Sequence, residues 1–267
     1  MSPEAGHSLN LEIGGRAIRL LTTDAGFRAM LAARYGAFVN PSAHTELELS
    51  IRLHGSPADP PDEEVRAALL DGRWLVTRGD FQAVWDPDAG TGMVEQTPNP
   101  YSIDTVLRII HTLLLAREGG FLLHASSAVR GHRAFVFSGL SGAGKTTIAR
   151  LAPPDVQVLT DEISYIRCDQ RGYTAYGTPF FGELGVAGVN VCAPVAALYF
   201  LAKGPKNRVE PLPPAEGVRL AVRNILFFAE DAELVRRLFH AACNFLAAVP
   251  AYRLTFLPDI RVWELIR

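Results

Sequence analysis

Three glycines, a lysine and two threonines stand close together at Gly139-Leu140-Ser141-Gly142-Ala143-Gly144-Lys145-Thr146-Thr147, and the acidic pair Asp161-Glu162 follows sixteen residues after the lysine. The first stretch fits G-x-x-x-x-G-K-[ST]. In that pattern the glycines let backbone N–H groups turn towards phosphate oxygens, the lysine reaches the outer phosphates and the hydroxyl meets a magnesium ion. Gly139, Ser141, Gly142, Ala143, Gly144, Lys145, Thr146 and Thr147 are therefore the candidates for holding a nucleotide. The chain has only three lysines, Lys145, Lys203 and Lys206, against 23 arginines. A lysine at this one position suits a cradle that needs a compact point charge rather than a planar fork. Asp161 and Glu162 are of the type that holds or polarises the metal and its waters, with Thr146 as its hydroxyl partner. His124, in Leu122-Leu123-His124-Ala125-Ser126-Ser127-Ala128-Val129, either faces the phosphates or packs within a strand.

The chemistry requires a strand entering the loop and a helix leaving it. Arg133–Ser138 is an apolar run of strand length, and Lys145–Leu151 reads as a helix stopped by Pro153-Pro154. Val156–Thr160 is a strand that ends at the acids. Phe121–Val129, Ala134–Phe137 and Ala196–Leu201 complete a set of continuous apolar strands, the pattern of a sheet covered on both faces. Tyr252–Phe256 reads as a last strand, and 218–228 and 231–249 as helices, the second with Leu234, Leu238, Ala242 and Phe245 on one face.

The first 98 residues read as a separate sheet-rich unit with one helix. Gly14-Gly15 joins two short apolar runs in the manner of a hairpin, Asp24 caps a helix carrying Phe27, Met30, Leu31 and Tyr35, and 45–53 alternates strictly, the sign of a half-buried strand in an antiparallel sheet. A loop rich in proline and acid spans 55–62, and strands are expected at 73–77, 81–86 and 91–97. Arg78-Gly79-Asp80 is a turn between strands. Residues 102–118 form an apolar helix ended by Gly119-Gly120, with His111 as a core residue. The domain division is thus 1–98 and 99–267.

A net charge of −2 and a pI near 6.4 give no electrostatic footprint for nucleic acid or an anionic membrane. The N-terminus has no basic and apolar leader pattern, and no apolar run reaches the roughly 18 residues of a membrane span, so the reading is cytoplasmic. Cys168, Cys192 and Cys243 form no C-x-x-C and read as reduced thiols. Homo-oligomerisation stays open.

Taken together, His124-Ala125-Ser126-Ser127, the loop Ser141–Thr146 and Asp161-Glu162 resemble the HPr serine kinase/phosphorylase-related family, over about residues 120–260. The resemblance implies an α/β P-loop core akin to phosphoenolpyruvate carboxykinase within a chain that is α+β overall. It makes His124 an active-site histidine, Lys145 the loop lysine, Thr146 the Mg²⁺-binding hydroxyl, Asp161 the proton acceptor and Glu183 a second metal-binding glutamate. Gly177–Gly185 lacks the arginine of members that run the reverse reaction, which argues against phosphorylase activity and against HPr as the acceptor. The expected function is an ATP- and Mg²⁺-dependent kinase that phosphorylates a hydroxyl, serine first, of a peptide, small protein or small molecule. The alternative is an ATP-binding accessory protein without phosphotransfer that gates a partner-binding surface.

Overall fold

A computed structural model describes residues 6–56, 59–228 and 231–267. The first five residues, on which the reading of the N-terminus rests, and positions 57–58 of the acidic loop lie outside the described residues. The chain is mixed α+β with two sheets, and it divides into two compact units: Met1–His111 with Phe227–Leu234, and Thr112–Leu226 with Val235–Arg267.

The first unit holds a seven-stranded sheet. Its strands β1 (His7–Ile13) and β2 (Arg16–Thr22) form the expected hairpin, with Gly14 and Gly15 both at positive φ, 64° and 71°. Helix α1 (Ala25–Tyr35) is capped by Asp24, which accepts the Phe27 N–H at 2.7 Å, and it buries Phe27, Leu31 and Tyr35. Strand β3 (Leu47–Leu53) buries Leu47, Leu49 and Ile51 as its alternation requires. Its neighbours correct the antiparallel expectation: β2 pairs with it in parallel, and so does β7. Alternation reports burial on one face and says nothing of direction, which here follows from α1 crossing between β2 and β3. Beyond them, β4 (Arg66–Leu70), β5 (Arg73–Arg78), β6 (Phe81–Asp86) and β7 (Thr91–Gln96) are antiparallel, in the sheet order β1-β2-β3-β7-β6-β5-β4. Strand β4 carries no alternation, and the turn at Asp71-Gly72 (φ 48° and 80°) folds it back on β5. Arg78 and Asp80 of the Arg-Gly-Asp triplet pair with each other, and Asp80 accepts from Ser102 at 2.6 Å. Helix α2 (Pro100–Arg117) starts two residues before the expected 102, and Ser102 is buried.

In the second unit the strands are β8 (Phe121–Arg130), β9 (Arg133–Ser138), β10 (Gln157–Thr160), β11 (Ile163–Asp169), β12 (Gly172–Tyr176), β13 (Cys192–Lys203), β14 (Arg208–Pro211) and β15 (Ala251–Phe256). The helices are α3 (Lys145–Arg150), α4 (Pro214–Val222) and α5 (Ala232–Ala248), whose first turn belongs to the other unit. Strand β9 lies between β8, antiparallel, and β13, parallel, and β13 also pairs in parallel with β15. The hairpin β11–β12 joins the first halves of β8 and β13, so pairing runs β8-β9-β13-β12-β11 and back to β8. Residues 223–228, expected to be helical, are not. Ile225 bridges Leu123 and the Leu226 N–H bonds Leu122 O, so pairing along β8 overrides local periodicity after the first residues of 218–228.

The core of this unit supports the loop after β9. Phe137 stacks on Tyr199 at 5.5 Å and meets Trp263 edge-on at 5.4 Å, while the Trp263 indole N–H bonds Ile148 O of α3 at 3.2 Å. Phe256, at the end of β15, lies beneath Gly144. Among the described residues no helix is long and apolar enough to cross a membrane.

Candidate functional site

The chain leaves β9 at Ser138, turns through 139–144 and enters α3 at Lys145. Gly144 sits at φ 109°, and a Cβ there would fall 2.7 Å from the Phe256 ring; Gly142 is at φ 74°. Positive φ and close approach together restrict position 144 to glycine. At Gly139 a Cβ would fall 2.8 Å from that of Ala143, so the loop closes tightly on itself. Ala143 packs against the core.

Lys145 is buried, and its ammonium donates to Gly139 O at 3.0 Å and Leu140 O at 3.3 Å. Burial holds its pKa below the usual lysine range, while the charges of Glu162 and Glu183 pull the other way. A cation folded back on its own loop and facing two carboxylates is poised to exchange carbonyl partners for stronger anionic ones.

Asp161 follows β10 directly and is 3% exposed. Its Oδ1 accepts the Gly182 N–H and its Oδ2 the Leu184 N–H, both at 2.9 Å. The segment that supplies these donors is laced to the end of β10: Thr178 N–H bonds Leu159 O, Gly188 N–H bonds Thr178 O, and the Thr160 hydroxyl faces Phe180 O at 3.4 Å. A Cβ at Gly188 would fall 1.6 Å from Leu159 O, so the crossing admits only glycine. Glu183 is thereby carried to the site, with its carbonyl accepting from Arg150 at 3.1 Å. Glu162 packs against Gly182, where a Cβ would stand 2.5 Å from its Oε2.

His124 lies on β8 opposite Ile163 and is half-buried; its N–H bonds Asn224 O and its carbonyl accepts the Ser138 hydroxyl at 3.1 Å. Burial first, and then the Lys145 charge, lower its pKa from the usual histidine range, which keeps the imidazole neutral at pH 7.

A cavity of about 520 Å³ gathers these groups. Ser141, Gly142, Gly144, Lys145, Thr146 and Thr147 line one side, and His124, Asp161, Glu162, Gly182 and Glu183 line the rest. Of the residues expected from the sequence, Gly139 and Ala143 do not line it; they shape the loop from behind. Gly182 and the N–H of Leu184 were not anticipated, and only the glycine spacing of 177–188 hinted at them. Among the described residues no three His, Cys, Asp or Glu side chains converge as a metal cage. A magnesium ion needs none, since it is commonly held by one or two protein oxygens together with phosphate and water.

The family model of ScmC, SynChlorMet cassette protein ScmC, matches residues 94–267, more than half of the chain. No curated protein matches it. This corrects the resemblance to the HPr serine kinase/phosphorylase-related family, which rested on three short motifs. Short motifs of this kind recur on unrelated proteins and so cannot assign a family. The chain belongs to the ScmC family of SynChlorMet cassette proteins.

Proposed function

We propose that this protein is an ATP- and Mg²⁺-dependent phosphotransferase that moves the γ-phosphoryl group to a hydroxyl of a peptide, small protein or small molecule, using a P-loop core in the second unit. The observation that carries the reading is that Lys145 and Thr146 line one cavity with the pair Asp161-Glu162 and with His124. The site suits a polyphosphate and its metal: the buried Lys145 ammonium is held by the loop carbonyls of Gly139 and Leu140, and Gly144, at positive φ and close against Phe256, keeps the loop tight around the cavity wall. Magnesium, when bound, supplies charge neutralisation between the phosphates, with Thr146, Asp161, Glu162 and Glu183 as the protein oxygens within the cavity wall.

The chain's own residues do the rest. Lys145 offsets negative charge on the outer phosphates as it grows during transfer. Asp161, fixed by two backbone N–H groups, keeps a second lone pair on each oxygen with which to orient the acceptor hydroxyl and take its proton. Neutral His124 offers a ring N–H to a phosphate oxygen without adding a charge beside Lys145. Phosphoryl transfer asks chiefly for this kind of positioning and charge compensation.

The same Asp161 bonds favour a second reading, an ATP-binding accessory protein in which the carboxylate serves as an anchor for 182–184 and nucleotide occupancy orders a partner surface. Incubation with γ-labelled ATP, Mg²⁺ and a panel of serine peptides and small hydroxy compounds separates them. Label on a hydroxyl, lost in Lys145→Met, supports the transferase; Mg-ATP binding by calorimetry with no labelled acceptor supports the accessory protein.

A further inference from the structure

Behind the first residues of the loop lies a second, smaller cavity of about 160 Å³, lined by Gly139, Leu140, the end of β13 at Phe200–Ala202, Leu220, Arg223, Asn224 and Arg253. Its lining is linked to that of the first cavity. Leu140 precedes Ser141, which lines the larger space, and Asn224 O accepts the N–H of His124, which lines it too. The volume suits one side chain or a small head group and is well below that of a whole ligand pocket. Its floor is apolar, from Phe200, Leu201 and Leu220, and its charged lining is cationic: Arg223 and Arg253, with no acid among the described lining residues. Arg253 is held by Glu216 from α4, whereas Arg223, just past the end of the same helix, is exposed. The Asn224 side chain is committed through Nδ2 to Leu220 O at 2.8 Å, which fixes the turn that presents Arg223.

We infer that this cavity holds a carboxylate of the phosphoryl acceptor, with Arg223 as the residue that selects it. The inference rests on the transferase reading given above. A guanidinium recognises a planar anion by paired N–H donors, and Leu140 and Asn224, through their links to Ser141 and His124, tie this lining to that of the larger cavity, where the acceptor hydroxyl must arrive. The carboxylate can come from an acidic residue near the serine of a peptide or from the acid group of a small hydroxy acid. Both present the same chemistry to Arg223.

The test is ligand-observed NMR on the full chain saturated with a non-hydrolysable Mg-ATP analogue. The small-molecule probes are N-acetyl-L-serine and N-acetyl-L-serinamide; the peptide probes are N-acetylated, C-amidated Ser-Glu and Ser-Gln. In each pair only the carboxylate differs. The acid of at least one pair should bind tenfold or more tightly than its amide, and Arg223→Gln should abolish that difference. Which pair shows it identifies the source. Equal affinity within both pairs, absence of binding by all four, or a preference that survives Arg223→Gln would each overturn the inference. Failure of the transferase reading is separately visible: a preference for the acid, with no probe ever phosphorylated from ATP, leaves the carboxylate site standing and removes the reaction.

Discussion

Asp161→Asn separates the two jobs that the geometry allows this residue. The carboxylate accepts one backbone N–H on each oxygen, from Gly182 and Leu184, both at 2.9 Å. Asparagine has one acceptor oxygen, so one of these N–H groups must face an amide NH₂ and lose its partner at a residue that is 3% exposed. A hydrogen bond to a charged group contributes about 1.5–3 kcal/mol, and the change should lower stability by roughly that amount. With about 2–4 °C per kcal/mol for domains of 150–250 residues, the melting temperature should fall by roughly 3–12 °C. If Asp161 also takes the proton of the acceptor hydroxyl, turnover should drop by about 10²–10⁴, while Mg-ATP affinity, carried mainly by the loop, changes little. Calorimetry and a γ-label transfer assay on the same preparation read both quantities. Near wild-type transfer with the expected loss of stability refutes the base and leaves the anchor. An unchanged melting temperature refutes the hydrogen-bond argument itself.

Lys145→Met should retain the fold and weaken Mg-ATP by roughly 10- to 150-fold, the equivalent of one charge-assisted bond of about 1.5–3 kcal/mol, as measured by isothermal titration. Gly144→Ala must place a methyl group 2.7 Å from the Phe256 ring at φ 109°, and thermal unfolding should show a loss of about 1–3 kcal/mol together with loss of nucleotide binding. The His124 ring, followed by NMR, should titrate below the ordinary value of about 6.5, and Lys145→Met should raise the midpoint without fully restoring it, because burial remains. The sign for stability follows: the folded imidazole binds its proton less readily than the unfolded one, so this contribution is fully present above about pH 6.5 and is lost as pH falls from there through the lower folded value. In the first unit, Asp104 accepts from Arg34 and, at 2.6 Å, from the buried Tyr35 hydroxyl; Asp104→Ala removes the acceptor these two donors share and should cost about 3–5 kcal/mol by denaturant titration.

The parts of the site that are legible in the sequence are those whose chemistry fixes residue types at short spacing. Gly142, Gly144, Lys145 and Thr146 are such a set, and an acid pair directly after a short apolar strand is another. What stays hidden is supplied by backbone. The N–H groups of Gly182 and Leu184 carry no residue signature, and they reach Asp161 only because glycines at 177 and 188 let the chain cross the end of β10. Strands β11 and β12 are likewise hard to read, since Ile163–Ile166 is buried on both faces and the hairpin lacks a clean alternation. Residues 223–226 show the opposite failure: the apolar spacing is helical, and pairing with β8 decides otherwise. In the first unit the alternation of 47–53 revealed the buried face of β3 and concealed the direction of its partners.

The circuit of pairing through β8, β9, β13, β12 and β11 has a kinetic consequence. No strand in it can detach from one neighbour without straining the other, so its amides should exchange with solvent in a single cooperative event close to global unfolding. Closure waits on β13, which joins β9 and β12 from more than fifty residues downstream of β9. Such non-local contacts form late and slowly. Lys145, Asp161 and Glu183 lie on connections that leave or enter strands of this circuit. On the transferase reading, a nascent chain would acquire the proposed cradle only when residues up to about 203 are free to pair, and a truncated product ending earlier should bind no nucleotide.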